Sequence, residues 1–405
     1  MKMIVRTFFL IALVTLACAQ ASHVGSAKAP QAAAPVPIDT KGVEVVPAPG
    51  PTQRQGFVTV EGANLIGRMD AAVRLGRAAG ARYWTAYAFD VRPGVSVDAD
   101  WNGARTSADG VNISFDSTRE TRNLGVFLLR EPNDTAVTRV EVYNLDRARE
   151  YAGYRVYWLG RAVNEESLNL LRGLVEGHND RTAARVSEHA TMAIALHDDA
   201  RVAGMLKNFV RQSSIEKART SAVFWLGQIG GETQFLADLA RNESESREVR
   251  KQAAFAIGIS KDNDAISTLR NLYSSVANRE VKEQIIFAAS INQDKDAAVN
   301  FLIDVAGKDN DLDSRKKAIF WLGQKAGERS LNALKDTIDS ADADTEVQKQ
   351  AVFAISQRSK DESIPLLIKI ARAHANPAVR KQAIFWLGQT GDERAVDFFK
   401  EILLK

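Results

Sequence analysis

The sequence predicts a multidomain α and β protein: a small, mostly antiparallel β domain followed by an all-α superhelical solenoid. Three observations carry this. One apolar motif recurs seven times, as VSEHATMAIAL (186–196), ARTSAVFWLGQ (218–228), VRKQAAFAIGI (249–259), VKEQIIFAASI (281–291), SRKKAIFWLGQ (314–324), VQKQAVFAISQ (347–357) and VRKQAIFWLGQ (379–389). Aligned on Met192, Phe224, Phe255, Phe287, Phe320, Phe353 and Phe385, the copies step by 32, 31, 32, 33, 33 and 32 residues, the period of a stack of like units none of which buries its apolar face alone. Ahead of them the hydrophobic period changes from helical to two, the signature of strands. Ahead of that, six of the ten prolines crowd into a short spacer.

In chain order, residues 1–21 read as a secretion signal: Lys2 and Arg6 flank an apolar run from Phe8 to Ala17 that is too short for a permanent membrane span. Ala17-Cys18-Ala19 and Ala19-Gln20-Ala21 are small-x-small cleavage sites, and cleavage after either would discard Cys18, the only cysteine. Leu16-Ala17-Cys18 also reads, less well, as a lipoprotein box with Cys18 lipidated. Both versions predict export, either periplasmic or secreted, or anchored in the bacterial envelope by that lipid. Residues 22–55, with Pro30, Pro35, Pro37, Pro47, Pro49 and Pro51 among alanines, form a linker unable to bury a core.

Residues 56–160 form the β-rich domain with one helix. Leu65, Ile66, Met69, Ala72 and Val73 lie at helical spacing and Gly80 stops the run. Arg82–Val91 places Tyr83, Thr85, Tyr87, Phe89 and Val91 on one face of a strand and Trp84, Ala86 and Ala88 on the other. Further strands are expected at Val111–Phe115, Leu124–Arg130, Val137–Tyr143 and Tyr154–Trp158, with Glu131-Pro132-Asn133-Asp134-Thr135 turning a hairpin. The many aromatic rings here, Trp84, Trp101 and Trp158 among them, are read as core, with an aromatic binding sheet as the alternative.

Residues 161–405 are the solenoid. Before most motifs lies a second amphipathic stretch, such as Ala265–Tyr273, Ser330–Ile338 or Ser363–Ala371, so each unit is a helix pair. Polar joints such as Gly391-Asp392-Glu393 separate the units, and Asn376-Pro377 separates the helices within one. Gly227, Gly258, Gly323 and Gly388 share one repeat position, with Ser290 and Ser356 keeping it small; a larger side chain there is expected to crowd the adjacent helix. Arg219, Arg250, Lys282, Arg315 and Arg380 share another, and are expected to bond loop acids and carbonyls of neighbouring repeats.

The frame Val379-Arg380-Lys381-Gln382-Ala383, running through Leu387-Gly388 to Gly391-Asp392-Glu393-Arg394-Ala395, recurs at Val249-Arg250 with Ile257-Gly258 and at Ser314-Arg315 with Leu322-Gly323. In this, residues from about 164 to 405 resemble the HEAT repeats, in particular the short bacterial HEAT-like units also seen in phycobilisome lyases. The resemblance implies the solenoid fold; scaffolds, adaptors and a few enzymes share it.

The search for chemistry is mostly negative. The formal net charge is +3, of which Lys2 and Arg6 carry two, so no basic field points to nucleic acid. His23, His178, His189, His197 and His374 form no His-Glu pairs of the kind on which HEAT-like di-iron hydroxylases depend; His189 and His197 lie two helical turns apart and read as structural. Asp309, Asp311 and Asp313 mimic the start of a calcium loop, but Ser314 and Phe320 stand where its glycine and closing glutamate belong, so helix capping is expected. Ser214-x-x-Lys217 lacks its companion Lys-Thr-Gly. No catalytic set, cofactor or metal site is legible.

The function expected is a non-enzymatic protein-interaction scaffold, binding a protein or peptide on the concave face of the solenoid. No nucleic acid is expected, and a membrane only through Cys18. The candidate contact residues are Gln252, Gln284, Gln350 and Gln382, three before the aligned Phe, with Lys316, Lys349 and Lys381 beside them and Gln389 one turn after. Two alternatives stay open: a lyase-type enzyme of the resembling class, or a ligand-binding β domain with the solenoid as spacer.

Overall fold

A computed structural model describes residues 57–97, 113–114, 120–147, 149–177, 181–340 and 343–404. The signal, the linker, His23, His178 and Trp101 lie outside them.

Among the described residues seven strands follow in order: β1 (Phe57–Thr59), β2 (Tyr83–Ala88), β3 (Ser96–Val97), β4 (Ile113–Ser114), β5 (Leu124–Arg130), β6 (Val137–Asn144) and β7 (Arg155–Arg161). Five of them form one sheet in the order β1-β7-β2-β5-β6, while β3 and β4 pair separately. β5 runs antiparallel to both β2 and β6, but β7 is parallel to both β1 and β2. Alternation predicts which face a residue takes and not the direction of the neighbouring strand, so these parallel pairs are invisible to it. Parallel strands need a crossover, and helix α1 (Leu65–Ala79), lying between β1 and β2 in sequence, supplies one. Asn64 caps α1 by accepting from Gly67 N, and Gly80 ends it at φ 68°, where a side chain would be strained. The expected hairpin joins β5 to β6, and Asp134 closes its turn by accepting from Ala136 N.

The sheet is buried on both faces. Trp84, Ala86, Ala88, Phe127, Leu129, Tyr143, Val156 and Trp158 cluster on one side, where Tyr151 stacks on Phe127 at 5.0 Å and Trp84 Nε1 donates to Tyr151 O. Tyr83, Tyr87, Val126, Leu128, Val140, Val142 and Tyr157 face the other way, into a core continuous with the helical region. Trp84 and Trp158, the described tryptophans of this domain, are therefore interior, as the core reading expects.

The helical region pairs α2 (Asn164–Glu176) with α3 (Arg181–Ala195), α4 (Arg201–Gln212) with α5 (Glu216–Ile229), α6 (Thr233–Arg241) with α7 (Arg247–Ile259), and α8 (Ala265–Ser275) with α9 (Arg279–Ile291). It continues with α10 (Lys295–Lys308) and α11 (Leu312–Gly323), α12 (Glu328–Asp339) and α13 (Thr345–Ser356), and α14 (Lys360–Ala373) and α15 (Pro377–Gln389), and closes with α16 (Glu393–Leu403). The recurring motif forms the second helix of each pair. Its start is fixed by a column of caps: Ser246, Asn278, Asp311, Asp344 and Asn376 each accept from a backbone N–H of the first turn. Asp311 is thus a cap, as expected of that acidic run, and Asp309 accepts from Asp311 N and from the Tyr273 hydroxyl.

The basic column behaves differently from expectation. Arg219, Arg250 and Arg315 donate from Nε to Val210 O, Ala240 O and Ala306 O, and Arg380 donates to His374 O and Ala375 O. These carbonyls end the first helix of the same unit rather than a neighbouring repeat, because the last C=O groups of a helix lack partners and the tight turn brings the second helix over them. Gln348 makes the same bonds to Ile338 O and Ser340 O, while Lys282 sits over the Tyr273 ring. Only Arg219 also crosses between units, to Glu245. Units are tied instead through their joints. Asp262 accepts from Gly231 N, Asn292 donates to Gly258 O, Lys325 to Ser290 O, and Arg358, its side chain 4% exposed, to Lys325 O.

Successive second helices pack on one another more extensively than successive first helices do. The glycine column permits it. A Cβ on Gly227 would lie 2.4 Å from Ala256 O, one on Gly258 2.5 Å from Ala288 O, and one on Gly323 2.8 Å from the Ala354 Cβ. Gly388 departs from the expectation: nothing lies within 4 Å, since no further second helix covers α15 among the described residues.

Sheet and solenoid meet at α2 and α3. Arg92 N donates to Leu196 O, Asp198 N to Asp90 O, and His189 Nδ1 lies 2.6 Å from Val140 O. At the centre, Ser167 Oγ is 2.8 Å from His197 Nε2 and 3.0 Å from the Tyr87 hydroxyl, and Phe89 stacks on the imidazole at 4.2 Å. His189 and His197 therefore pin the sheet to the first helix pair. The Ser167–His197 contact has the geometry of a nucleophile and its base, but both are wholly buried, so no substrate reaches them.

Candidate docking face

Each second helix turns one stripe away from the stack, and on it the aligned aromatic rings meet. Phe224 stacks on Phe255 at 6.4 Å, Phe255 on Phe287 at 6.0 Å, and Phe320 on Phe353 at 6.4 Å, all within 14° of parallel. Trp321 bridges Phe287 and Phe320 at 5.1 and 5.0 Å, and Trp386 bridges Phe353 and Phe385 at 5.0 Å each. The result is one continuous ladder of rings from α5 to α15. Most rungs are half-buried; Phe255 is buried between its neighbours and Phe385, at the end, is 55% exposed. Packing between repeats thus accounts for the Phe column itself. The part of Trp321 and Trp386 was not read from the sequence; the recurring Phe-Trp-Leu-Gly-Gln string was the available signal.

Beside the ladder the polar columns fall in register. Gln252, Gln284, Gln350 and Gln382 are half-buried, and their side-chain amides make no hydrogen bond to any described residue. Gln348, two residues from Gln350, is by contrast fully engaged in the carbonyl clamp. Gln389 is exposed on the last turn of α15. Lys316 pairs with Asp313 at 2.6 Å and Lys349 with Glu346 at 2.9 Å, each one helical turn back. Bonding from Lys316 holds the Asp313 carboxyl below its usual range, and the same contact raises the Lys316 ammonium. Lys381 has Ala378 at that place and makes no ion pair among the described residues. Exposed pairs of this kind are worth little and exchange readily for a ligand's charge.

Two grooves lie elsewhere, at the first helices. One of about 620 Å³ opens between α10 and α12, and one of about 270 Å³ lies between α12 and α14 over Ile338, Leu366 and Ile370. Their rims mix signs, Glu328 and Asp336 with Arg315 and Arg329 in the first, and Lys335 and Lys369 with Asp339 in the second. Among the described residues no group of three His, Cys, Asp or Glu side chains is placed to hold a metal ion.

Stacked helix pairs, tied by a second-helix core and by joint-to-joint bonds, define an α-solenoid. Its repeats are HEAT repeats: that family matches residues 203–290, 233–323 and 338–405. Among solved structures the chain is similar to human deoxyhypusine hydroxylase in complex with glycerol (17% identity, 58% of this chain and 88% of that one, TM-score 0.26). It is similar also to lipovitellin (15%, 55% and 26%, TM-score 0.41) and to the Mot1 N-terminal domain in complex with TBP (12%, 56% and 34%, TM-score 0.30). Likenesses this loose define neither partner nor substrate. No curated protein sequence matches.

Proposed function

We propose that this protein is a non-enzymatic scaffold that docks a protein or peptide on the second-helix face of its solenoid. HEAT repeats commonly mediate protein interactions. The observation that carries the choice of face is the column of four in-register glutamine amides without a protein partner, set against a ladder of rings. Amides without a protein partner are free to bond a ligand's main chain, and rings add apolar area. The closer packing of second helices supports reading that side of the stack as the concave one. Replacing Gln350, Gln382, Lys349 and Lys381 together by Ala should weaken partner binding while leaving the melting temperature near that of the wild type, since surface changes of this kind stay within about 0.5 kcal/mol each. Undiminished binding would place the site elsewhere.

The proposed setting is outside the cytoplasm. The support is the leader pattern of Lys2, Arg6 and Phe8–Ala17, with Cys18 either discarded or lipidated. N-terminal sequencing of the folded protein should find a start near Gln20 or Ser22, or a chain blocked at Cys18. An intact Met1 would contradict export in both forms.

A further inference from the structure

The ring ladder has a pitch, and the pitch selects a ligand conformation. Over α5, α7 and α9 the equivalent rings Phe224, Phe255 and Phe287 repeat every 6.4 and 6.0 Å. An extended strand returns a side chain to the same face every two residues, about 6.6 Å. A helical ligand advances about 1.5 Å per residue and brings a side chain back only after three or four residues, so its rows of side chains do not stay in step with such a ladder. A strand lying across the second helices would run along the exposed edges of the half-buried rungs Phe224 and Phe287, its alternate side chains in step with the ladder. Between them its main-chain groups, unpaired along the strand, would come to the amides of Gln252 and Gln284, one per unit.

Charge gives the strand an end. α15 alone among the described second helices carries no acidic residue, whereas Lys251, Lys316 and Lys349 pair with Glu248, Asp313 and Glu346 of their own helices and Glu280 of α9 takes Arg247 of α7. Arg380 spends its donors on carbonyls, and Lys381 is exposed without an ion pair among the described residues. The uncompensated positive charge at that end of the ladder calls for an anionic group on the ligand.

Resting on the docking reading above, the geometry points to a partner held as an extended strand, two residues per repeat unit over α5 to α9, with an acidic side chain at the α15 end. Photoreactive residues introduced singly at Gln252, Gln284 and Gln382 of the full chain, in its native cells, test this once the captured partner residues are mapped by mass spectrometry. The residues captured from positions 252 and 284 should lie two apart in one partner segment. A spacing of three or four would overturn the strand while leaving the docking face standing. No adduct from any of the three positions would remove the docking face as well. Lys381→Glu should abolish the adduct from position 382 and spare that from position 252; an undiminished adduct at 382 would overturn the acidic end.

Discussion

Gly258→Leu should lower the stability of the solenoid by about 1–3 kcal/mol, the usual cost of overpacking a filled interface. The side chain would start 2.5 Å from Ala288 O and 2.7 Å from its Cα, and backbone atoms of an adjacent helix cannot swing aside as a flexible side chain can. The equivalent glycine of α15 makes the test sharp. Gly388 has open space around it, so Gly388→Ala should stabilise by up to about 1 kcal/mol through the lower entropy cost of alanine in a helix. Thermal unfolding of the two variants should therefore shift in opposite directions. Equal shifts would mean that the second helices do not pack through this column.

The second large effect is one of pH. His197 is buried among Phe89 and aliphatic side chains, and burial pushes its imidazole down to about 4, more than the nearby Asp90 and Asp199 can restore. Nδ1 faces Ala193 O at 2.7 Å and must carry the hydrogen, so Nε2 is the acceptor for the Ser167 hydroxyl. A second proton would leave a charge in the core. The unfolded chain takes that proton near pH 6.5 and the folded chain only near 4, so this contribution is whole above 6.5 and falls away as pH drops towards 4. Between pH 6.5 and 4.5 the loss should be about 2–3 kcal/mol. The Asp199 carboxyl, which bonding from Arg201 holds at about 2, acts only below this window. Urea unfolding followed at the two pH values should show the loss in the wild type and not in His197→Gln. A wild-type curve flat across this range would mean that the junction does not bury a neutral imidazole.

The repeat was legible because each unit solves the same burial problem with the same residues: Val249, Ala253 and Ile257 recur as Val379, Ala383 and Leu387, all of them buried. The longer strands were legible for the same reason, alternation reporting burial on a pleated surface. β1 and β3, of three and two residues, are too short to show a period. Direction is not encoded in alternation, which hid the parallel pairing of β7. The junction was not legible either. Tyr87, Ser167 and His197 stand 80 and 30 residues apart, each unremarkable in its own neighbourhood, and only folding brings them together. At the candidate face the sequence placed the Gln and Lys columns on one stripe, but gave no sign that Lys316 and Lys349 carry their own acids while Lys381 does not. It also gave no sign that tryptophans step into the ring ladder.

The claim that the partner lies on the second-helix face is tested most directly by calorimetric titration of that partner, identified by co-purification, into three forms of the protein. These are the wild type, the Gln350, Gln382, Lys349 and Lys381 to Ala variant, and a control with Arg329, Lys335 and Lys369 of the first helices changed to Ala. A docking face on the second helices predicts an affinity reduced at least about tenfold, 1.4 kcal/mol, in the first variant and preserved in the control. Affinity preserved in the first variant and lost in the control would contradict it and place the partner on the first helices.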